Sequence, residues 1–154
     1  MENRNLGRAA GGGSALVNYR GATQDDVRTL ASMNAELILD EGHRNTMTVD
    51  QLAGRMAGWL EADYECMLFE DGARVAGYAL FRRDEDFVYL RQLFVSRDRR
   101  RAGIGRAAIE WLRQHAWLEA SRVRIEVLAA NERAIQFWRS IGFEDYALTM
   151  EFET

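Results

Sequence analysis

The stretch Arg100-Arg101-Ala102-Gly103-Ile104-Gly105-Arg106 carries the sharpest chemical signal in this 154-residue chain. Its two glycines let the backbone turn without a Cβ penalty and come close to a ligand. It lies between an apolar β-type run and a helical pattern. The turn therefore opens a helix whose first N–H groups lack partners and whose dipole end is positive. Such a turn seats a pyrophosphate, and Arg97, Arg99, Arg100, Arg101 and Arg106 surround it with positive charge. The alternative is a merely solvated arginine run; glycines, helix start and preceding strand together favour the phosphate seat. It is not a P-loop, since every basic residue is Arg and the chain has no Lys. A lysine nucleophile or Schiff base is excluded for the same reason.

The elements that must position this turn follow from spacing. Met1 to Ser14, with Gly7 and Gly11 to Gly13, reads as a flexible lead-in, and residues 15–154 as a single domain. Ala15 to Arg20 is a short strand. Thr23 caps a helix carried by Val27, Leu30, Ala31, Asn34, Leu37 and Ile38 to about Asp40; Thr48 caps a second, carried by Leu52, Met56, Trp59 and Leu60. Tyr64 to Glu70, Arg74 to Arg83 and Phe87 to Val95 read as three antiparallel strands, the first two joined at Asp71-Gly72. A helix from Gly103 to Glu119 follows, with Ile104, Ala108, Trp111, Leu112 and Leu118 on its apolar face. Val123 to Leu128 is a strand, Asn131 to Ser140 a helix and Phe143 to Phe152 a final strand. The expected fold is α/β (α+β): a mixed, mostly antiparallel sheet of six to seven strands, about four helices, and one right-handed βαβ crossover from Phe87–Val95 to Val123–Leu128.

Composition limits the function classes. The net charge of −4 argues against a nucleic-acid binder, which needs a basic surface, and mildly favours a cationic substrate. No apolar run is long enough to span a membrane, and no apolar signal core stands at the start, so the expected location is cytoplasmic. Cys66 is the single cysteine, and His43 and His115 are far apart, so no disulfide or metal site is expected.

Gly103-Ile104-Gly105-Arg106-Ala107-Ala108 also fits the dinucleotide pattern G-x-G-x-x-A, with Glu126 21 residues after Gly105. Against that reading, seven residues separate strand from turn, and the upstream elements are antiparallel hairpins. The chain instead resembles the GNAT superfamily of acyl-CoA-dependent N-acyltransferases across residues 15–152. Leu93-Phe94-Val95 with Arg100-x-x-Gly103-x-Gly105 resembles the family's strand and Q/R-x-x-G-x-G/A loop. Asn131-Glu132-Arg133-Ala134-Ile135-Gln136-Phe137-Trp138 through Gly142-Phe143 resembles its N-x-x-A-x-x-F/L-Y-x-x-x-G-F block.

The resemblance implies that acetyl-CoA is the donor. N–H groups from about Arg101 through Ala102, Gly103, Ile104 and Gly105 to Arg106 would take its pyrophosphate. The backbone of Leu93 and Val95 would pair with pantetheine, and an N–H near Phe94 or Val95 would polarise the thioester. Asn131, Phe137 and Trp138 would contact the cofactor, Asn131 also serving as a helix cap. The thioester would lie between splayed strands Phe87–Val95 and Val123–Leu128. Two departures stand out: Arg97 replaces a frequent proline, and Trp138 replaces the Tyr that protonates the leaving thiolate in many relatives. An indole N–H donates a hydrogen bond but no proton, so losing this acid slows rather than abolishes the step; Tyr146, Tyr89 and Tyr78 are the candidate substitutes.

A protonated amine cannot attack, so a general base is expected. Glu126 is the first candidate: it faces away from Val123, Ile125 and Val127, 12 residues before Trp138. A cross-strand ion pair with Arg124 or Arg91 is its structural alternative. Glu41 and His43, with Asp40, would line the acceptor pocket or simply form a solvated loop. The expected activity is acetyl transfer to a primary amine, a small cationic one of aminoglycoside or polyamine type, by direct attack. A protein or peptide amine is the alternative acceptor, and a non-catalytic acyl-CoA-binding module the alternative of another class. Relatives often form dimers, so a homodimer is expected.

Overall fold

The computed structural model describes residues 17–154, so the expected lead-in over residues 1–14 and the start of the first strand lie outside it. A five-stranded sheet runs in the order β1 (Asn18–Gly21), β2 (Tyr64–Asp71), β3 (Arg74–Arg83), β4 (Val88–Val95) and β5 (Val123–Arg124). The first four strands are antiparallel neighbours; β4 and β5 are parallel, joined through α3 (Ile104–His115) as the crossover requires. The remaining helices are α1 (Val27–Glu41), α2 (Val49–Glu61) and α4 (Glu132–Ser140).

Local chemistry explains the starts and stops. Thr23 and Asp26 form a reciprocal capping box around the 3-10 turn that leads into α1, and Thr48 and Gln51 form another at α2. Gly42 ends α1 in the left-handed region at φ 65°, and Gly72 at φ 63° makes the two-residue β2–β3 turn. Side chains alternate across the strands into two cores. Leu68, Tyr78, Leu80 and Phe94 pack with Leu30, Leu37, Leu52 and Met56 of α1 and α2. On the other face Phe69, Ala79, Phe81 and Leu90 pack with Ile104, Ala108, Trp111 and Leu112 of α3, and Trp138 of α4 joins them.

The expected sheet is corrected in three places. Helix α3 ends at His115 rather than Glu119, because Trp117 turns into the core against Phe81 (centroids 5.4 Å apart) and draws the chain off the helix; Leu118 is left in solvent. β5 stops at Arg124 rather than Leu128. β4 carries a bulge: Leu80 pairs with Gln92 and Phe81 with Leu90, so Arg91 has no partner. A bulge bends its strand and raises its twist. β4 and β5 thus share only Val88↔Val123 and Tyr89↔Arg124 before they part. Finally, Phe143 to Phe152 is not a strand: it does not pair with β5, whose free edge is only two residues long, and Tyr146, Leu148, Met150 and Phe152 are exposed. The sheet therefore has five strands where six to seven were expected.

Candidate functional site

Where β4 and β5 part, a cleft of about 1050 Å³ opens, lined by β4, the segment from Ile125 to Ala129 that follows β5, the start of α3, α4 and the end of α1. Its first wall is the free edge of β4. Ser96 N–H donates to Ala76 C=O, so bonded and non-bonded pairs alternate back along the ladder. Phe94 therefore exchanges its backbone bonds with Tyr78. The N–H and C=O groups of Leu93 and Val95 face away from β3 toward the cleft. Arg100 Nε occupies Val95 C=O at 2.8 Å, leaving the Val95 N–H open. Phe94's ring is buried in the core, so this residue borders the cleft chiefly with its backbone.

The second wall is the glycine turn. Arg101 and Gly103 both adopt left-handed backbone, at φ 65° and 75°. Gly103 caps α3 with no side-chain bond, and no acid stands in the first helical turn, so nothing among the described residues neutralises the N–H groups of Ile104, Gly105 and Arg106. A Cβ on Gly105 would stand 3.3 Å from Phe137 Cζ, so glycine is what lets α3 approach α4 here. The five arginines are not equivalent. Arg97 and Arg100 both bind Asp40, at 2.7 and 2.5 Å, and Arg99 binds Asp71. Arg101 and Arg106 make no ion pair among the described residues; Arg106 reaches Ser140 at 3.3 Å. Free N–H groups, two unpaired cations and an open strand edge fit the pyrophosphate and amide-bearing arm of a CoA thioester.

Asn131 caps α4, its Oδ1 accepting from Ala134 N–H at 3.2 Å, and lines the cleft. Phe137 and Trp138 line it too; Trp138 is half-buried, edge-on to Phe137 and to Phe143, both at 5.0 Å. Glu126 lies just beyond β5, exposed on the cleft wall, and forms no ion pair among the described residues, because Arg124 stacks on Phe87 and Tyr146 instead. Glu41 and His43 also line the cleft. Burial, with the Asp40 charge adding, pushes the Glu41 carboxyl above its ordinary range. His43 Nδ1 accepts the Asn45 N–H at 3.2 Å.

Not every expected residue joins this group. Tyr146 projects into solvent outside the cleft, its hydroxyl 3.4 Å from Arg124 Nη2. Of the other tyrosines, Tyr89 lines the cleft, while Tyr78 is buried and donates to Gln92 Oε1 at 2.8 Å. Asp40 is the clasp for Arg97 and Arg100. Burial pushes its carboxyl up, but the bonds from Arg100 and Arg97 outweigh this and hold it below the usual carboxylate range. Asn34, Arg55 and Arg91, none singled out as site residues from the sequence, also line the cleft. One signal was available: Asn34 falls on the apolar stripe of α1, where a polar side chain needs a partner.

The acetyltransferase (GNAT) family model matches residues 30–143, more than half of the chain. No curated protein sequence matches. Among solved structures, a possible acetyltransferase from Clostridium difficile 630 is similar at 18% identity and TM-score 0.74, over 90% of this chain and 97% of that one. An aminoglycoside N-acetyltransferase, AAC(6')-Iy, solved with CoA, is similar at 13% identity and TM-score 0.73, over 95% and 99%. A predicted acetyltransferase from Clostridium acetobutylicum, solved with acetyl-CoA, is similar at 16% identity and TM-score 0.69, over 89% and 96%. The glycine turn, the parted strands and the family match lead to one conclusion: this chain belongs to the GNAT acetyltransferase family.

Proposed function

We propose that this chain transfers the acetyl group of acetyl-CoA to a primary amine by direct attack in a ternary complex. The observation that carries this reading is the open β4 edge, which meets the unneutralised start of α3 in one cleft that also holds Glu126 and Glu41. The turn from Arg101 to Arg106 binds the pyrophosphate; Leu93 and Val95 extend the sheet with the pantetheine arm. The thioester then lies along the free edge of β4, where the Val95 N–H is open to stabilise the oxygen that becomes negative as the carbonyl carbon turns tetrahedral.

The amine arrives as its ammonium form and must lose a proton before it attacks. Glu126, directly or through water, takes that proton. The new C–N bond forms, the C–S bond breaks, CoA leaves as thiolate, and the second proton of the amine nitrogen passes to water as the amide forms. With Trp138 in place of tyrosine, no acid is fixed at the sulfur by that position. A thiol of pKa about 8.5 leaves as its anion without an acid, at a slower rate. A covalent acetyl-cysteine is not used: Cys66 is buried in the core and burial pushes its thiol far above the ordinary range.

Small cationic amines of aminoglycoside or polyamine type form the first acceptor panel, supported by the likeness to an aminoglycoside N-acetyltransferase and by the cleft carboxylates. Peptide N-termini form the second. The Trp138 substitution supports one rival, a module that binds acyl-CoA without transfer. Calorimetric titration with acetyl-CoA, with NADH as control, followed by CoA-thiol release across the amine panel separates the two. Micromolar binding with thiol release supports transfer, binding without release supports the module, and heat with NADH alone sinks both. We further propose that the working unit is a homodimer in the cytoplasm. Support for the dimer is the exposed run of Tyr146, Leu148, Met150 and Phe152, which a second copy would cover.

A further inference from the structure

In the same cleft as the glycine turn stand two arginines that meet no carboxylate among the described residues. Arg55, on α2, donates from Nη2 to Asn34 Oδ1 at 3.0 Å. Arg91, the unpaired residue of the β4 bulge, donates from Nη1 to the Tyr64 hydroxyl at 3.2 Å. Neither forms an ion pair among the described residues. Both guanidinium groups rest on Trp59, at 4.4 and 4.6 Å from its ring centroid, so one indole gathers two like charges without neutralising either. Burial, and then the Arg91 charge, push the Arg55 guanidinium below its ordinary value.

Two buried donors at the same place lack acceptors: Arg55 Nε and Asn34 Nδ2. Asn34 is fully buried, and its amide cannot be turned round, because its oxygen must face the Arg55 donor. Buried polar atoms nearly always find partners. Here every missing partner is an acceptor, and the unmatched charge is positive, so the complement is an anion. Guanidinium groups match carboxylate geometry with paired, charge-assisted bonds. Glu41 and Glu126 line the same cleft and suit an ammonium group. They would also repel a dianionic phosphate more strongly than a monoanionic carboxylate.

We propose that the acceptor is a zwitterion, an amino acid or close analogue, whose carboxylate is held by Arg55, Asn34 and Arg91 while its amine faces the acyl donor. This rests on the acetyl-transfer reading for the role of the amine, but the anion site can be tested without turnover. The net charge of the whole chain does not predict the acceptor, because the acceptor wall holds both signs.

The test uses the full-length protein saturated with CoA, which carries no acetyl group to transfer. Proteinogenic L-amino acids bearing a primary amine are titrated calorimetrically, each beside its carboxamide, with spermidine and O-phosphoethanolamine as comparators. At least one amino acid should bind about tenfold or more tightly than its amide, since the amide keeps the shape but removes the charge and turns one acceptor oxygen into a donor. Arg55→Gln and Arg91→Gln should each erase that preference, Arg55→Lys should keep part of it, and acetyl-CoA affinity should stay at the wild-type level in all three. Equal binding of acid and amide in every pair, no binding by any acid, tighter binding of spermidine or O-phosphoethanolamine, or a preference that survives both Gln variants overturns the proposal. The wild-type comparison decides even if a variant does not fold. Adding acetyl-CoA then separates the two readings. Acids that bind without thiol release leave the carboxylate site standing and remove acetyl transfer. Thiol release with no acid-over-amide preference does the reverse.

Discussion

At the scale of single residues, the phosphate turn depends on positions where a side chain is incompatible with the backbone or with the ligand. Gly103 has open space around its missing Cβ, so nothing collides when a side chain is added. The cost comes from φ 75°, roughly 1–2 kcal/mol for an L-residue. Gly103→Glu adds a carboxylate beside the pyrophosphate, so acetyl-CoA affinity should fall by about a hundredfold or more, a larger loss than backbone strain alone explains. Calorimetry on Gly103→Glu beside Gly103→Ala separates charge from strain; equal affinity in the two would sink the phosphate assignment. Glu126 makes a second test possible, since no ion pair among the described residues occupies it. Glu126→Gln should lower the rate about 10²-fold or more and move the pH optimum upward, because the amine must then lose its proton unaided. An unchanged pH–rate profile would reduce Glu126 to a surface carboxylate.

At the scale of elements, the site is held by one contact between distant parts of the chain. Asp40, at the end of α1, grips Arg97 and Arg100 of the β4–α3 connection, and Arg100 in turn binds Val95 C=O on β4. Helix α1, strand β4 and the turn before α3 are thereby tied together. Asp40→Asn should raise the KM for acetyl-CoA several-fold with a smaller change in kcat, read by steady-state kinetics in both substrates. The same clasp has a pH signature. Its carboxyl is held below the usual range, so the stabilisation is fully present above the unfolded value and is lost as pH falls through the lowered folded value. Acetyl-CoA affinity should thus drop only below the normal carboxylate range, and Asp40→Asn should flatten that drop; an acid limb that is the same in wild type and variant removes Asp40 as its cause.

At the scale of the molecule, two apolar cores flank a sheet that closes on one side and opens on the other. β1 to β4 are knit along their lengths, whereas β4 and β5 share two residue pairs and then diverge into the cleft. The segment after α4 leaves Leu148 and Phe152 at 75% and 89% exposure. If a second copy covers them, light scattering should report a dimer whose dissociation constant rises by orders of magnitude in a Leu148→Asp/Phe152→Asp double variant. A monomer in wild type at high micromolar concentration would end the dimer proposal.

Much of this was legible in the sequence for local reasons. The capping threonines, the Gly72 hairpin, the Arg74–Arg83 strand and the strand–glycine turn–helix order are set by neighbours a few residues apart, where propensity and period act directly. That Asn131 is a cap and that Arg101 to Arg106 open a helix follow from the same short-range rules. The misreadings share a cause. Leu118, the end of β5 and the segment from Phe143 to Phe152 all carry the right period. Their fate, however, was decided by Trp117 turning into the core, by the Arg91 bulge, and by a β5 edge only two residues long. Nor could spacing foresee that Asp40 would silence two of the five arginines near the turn, or that Arg55 and Arg91, 36 residues apart, would meet over Trp59. The sequence determined the local elements and the donor half of the site. The tertiary structure alone decided the acceptor half, because unmatched charges and orphaned donors come from residues that only long-range packing brings together.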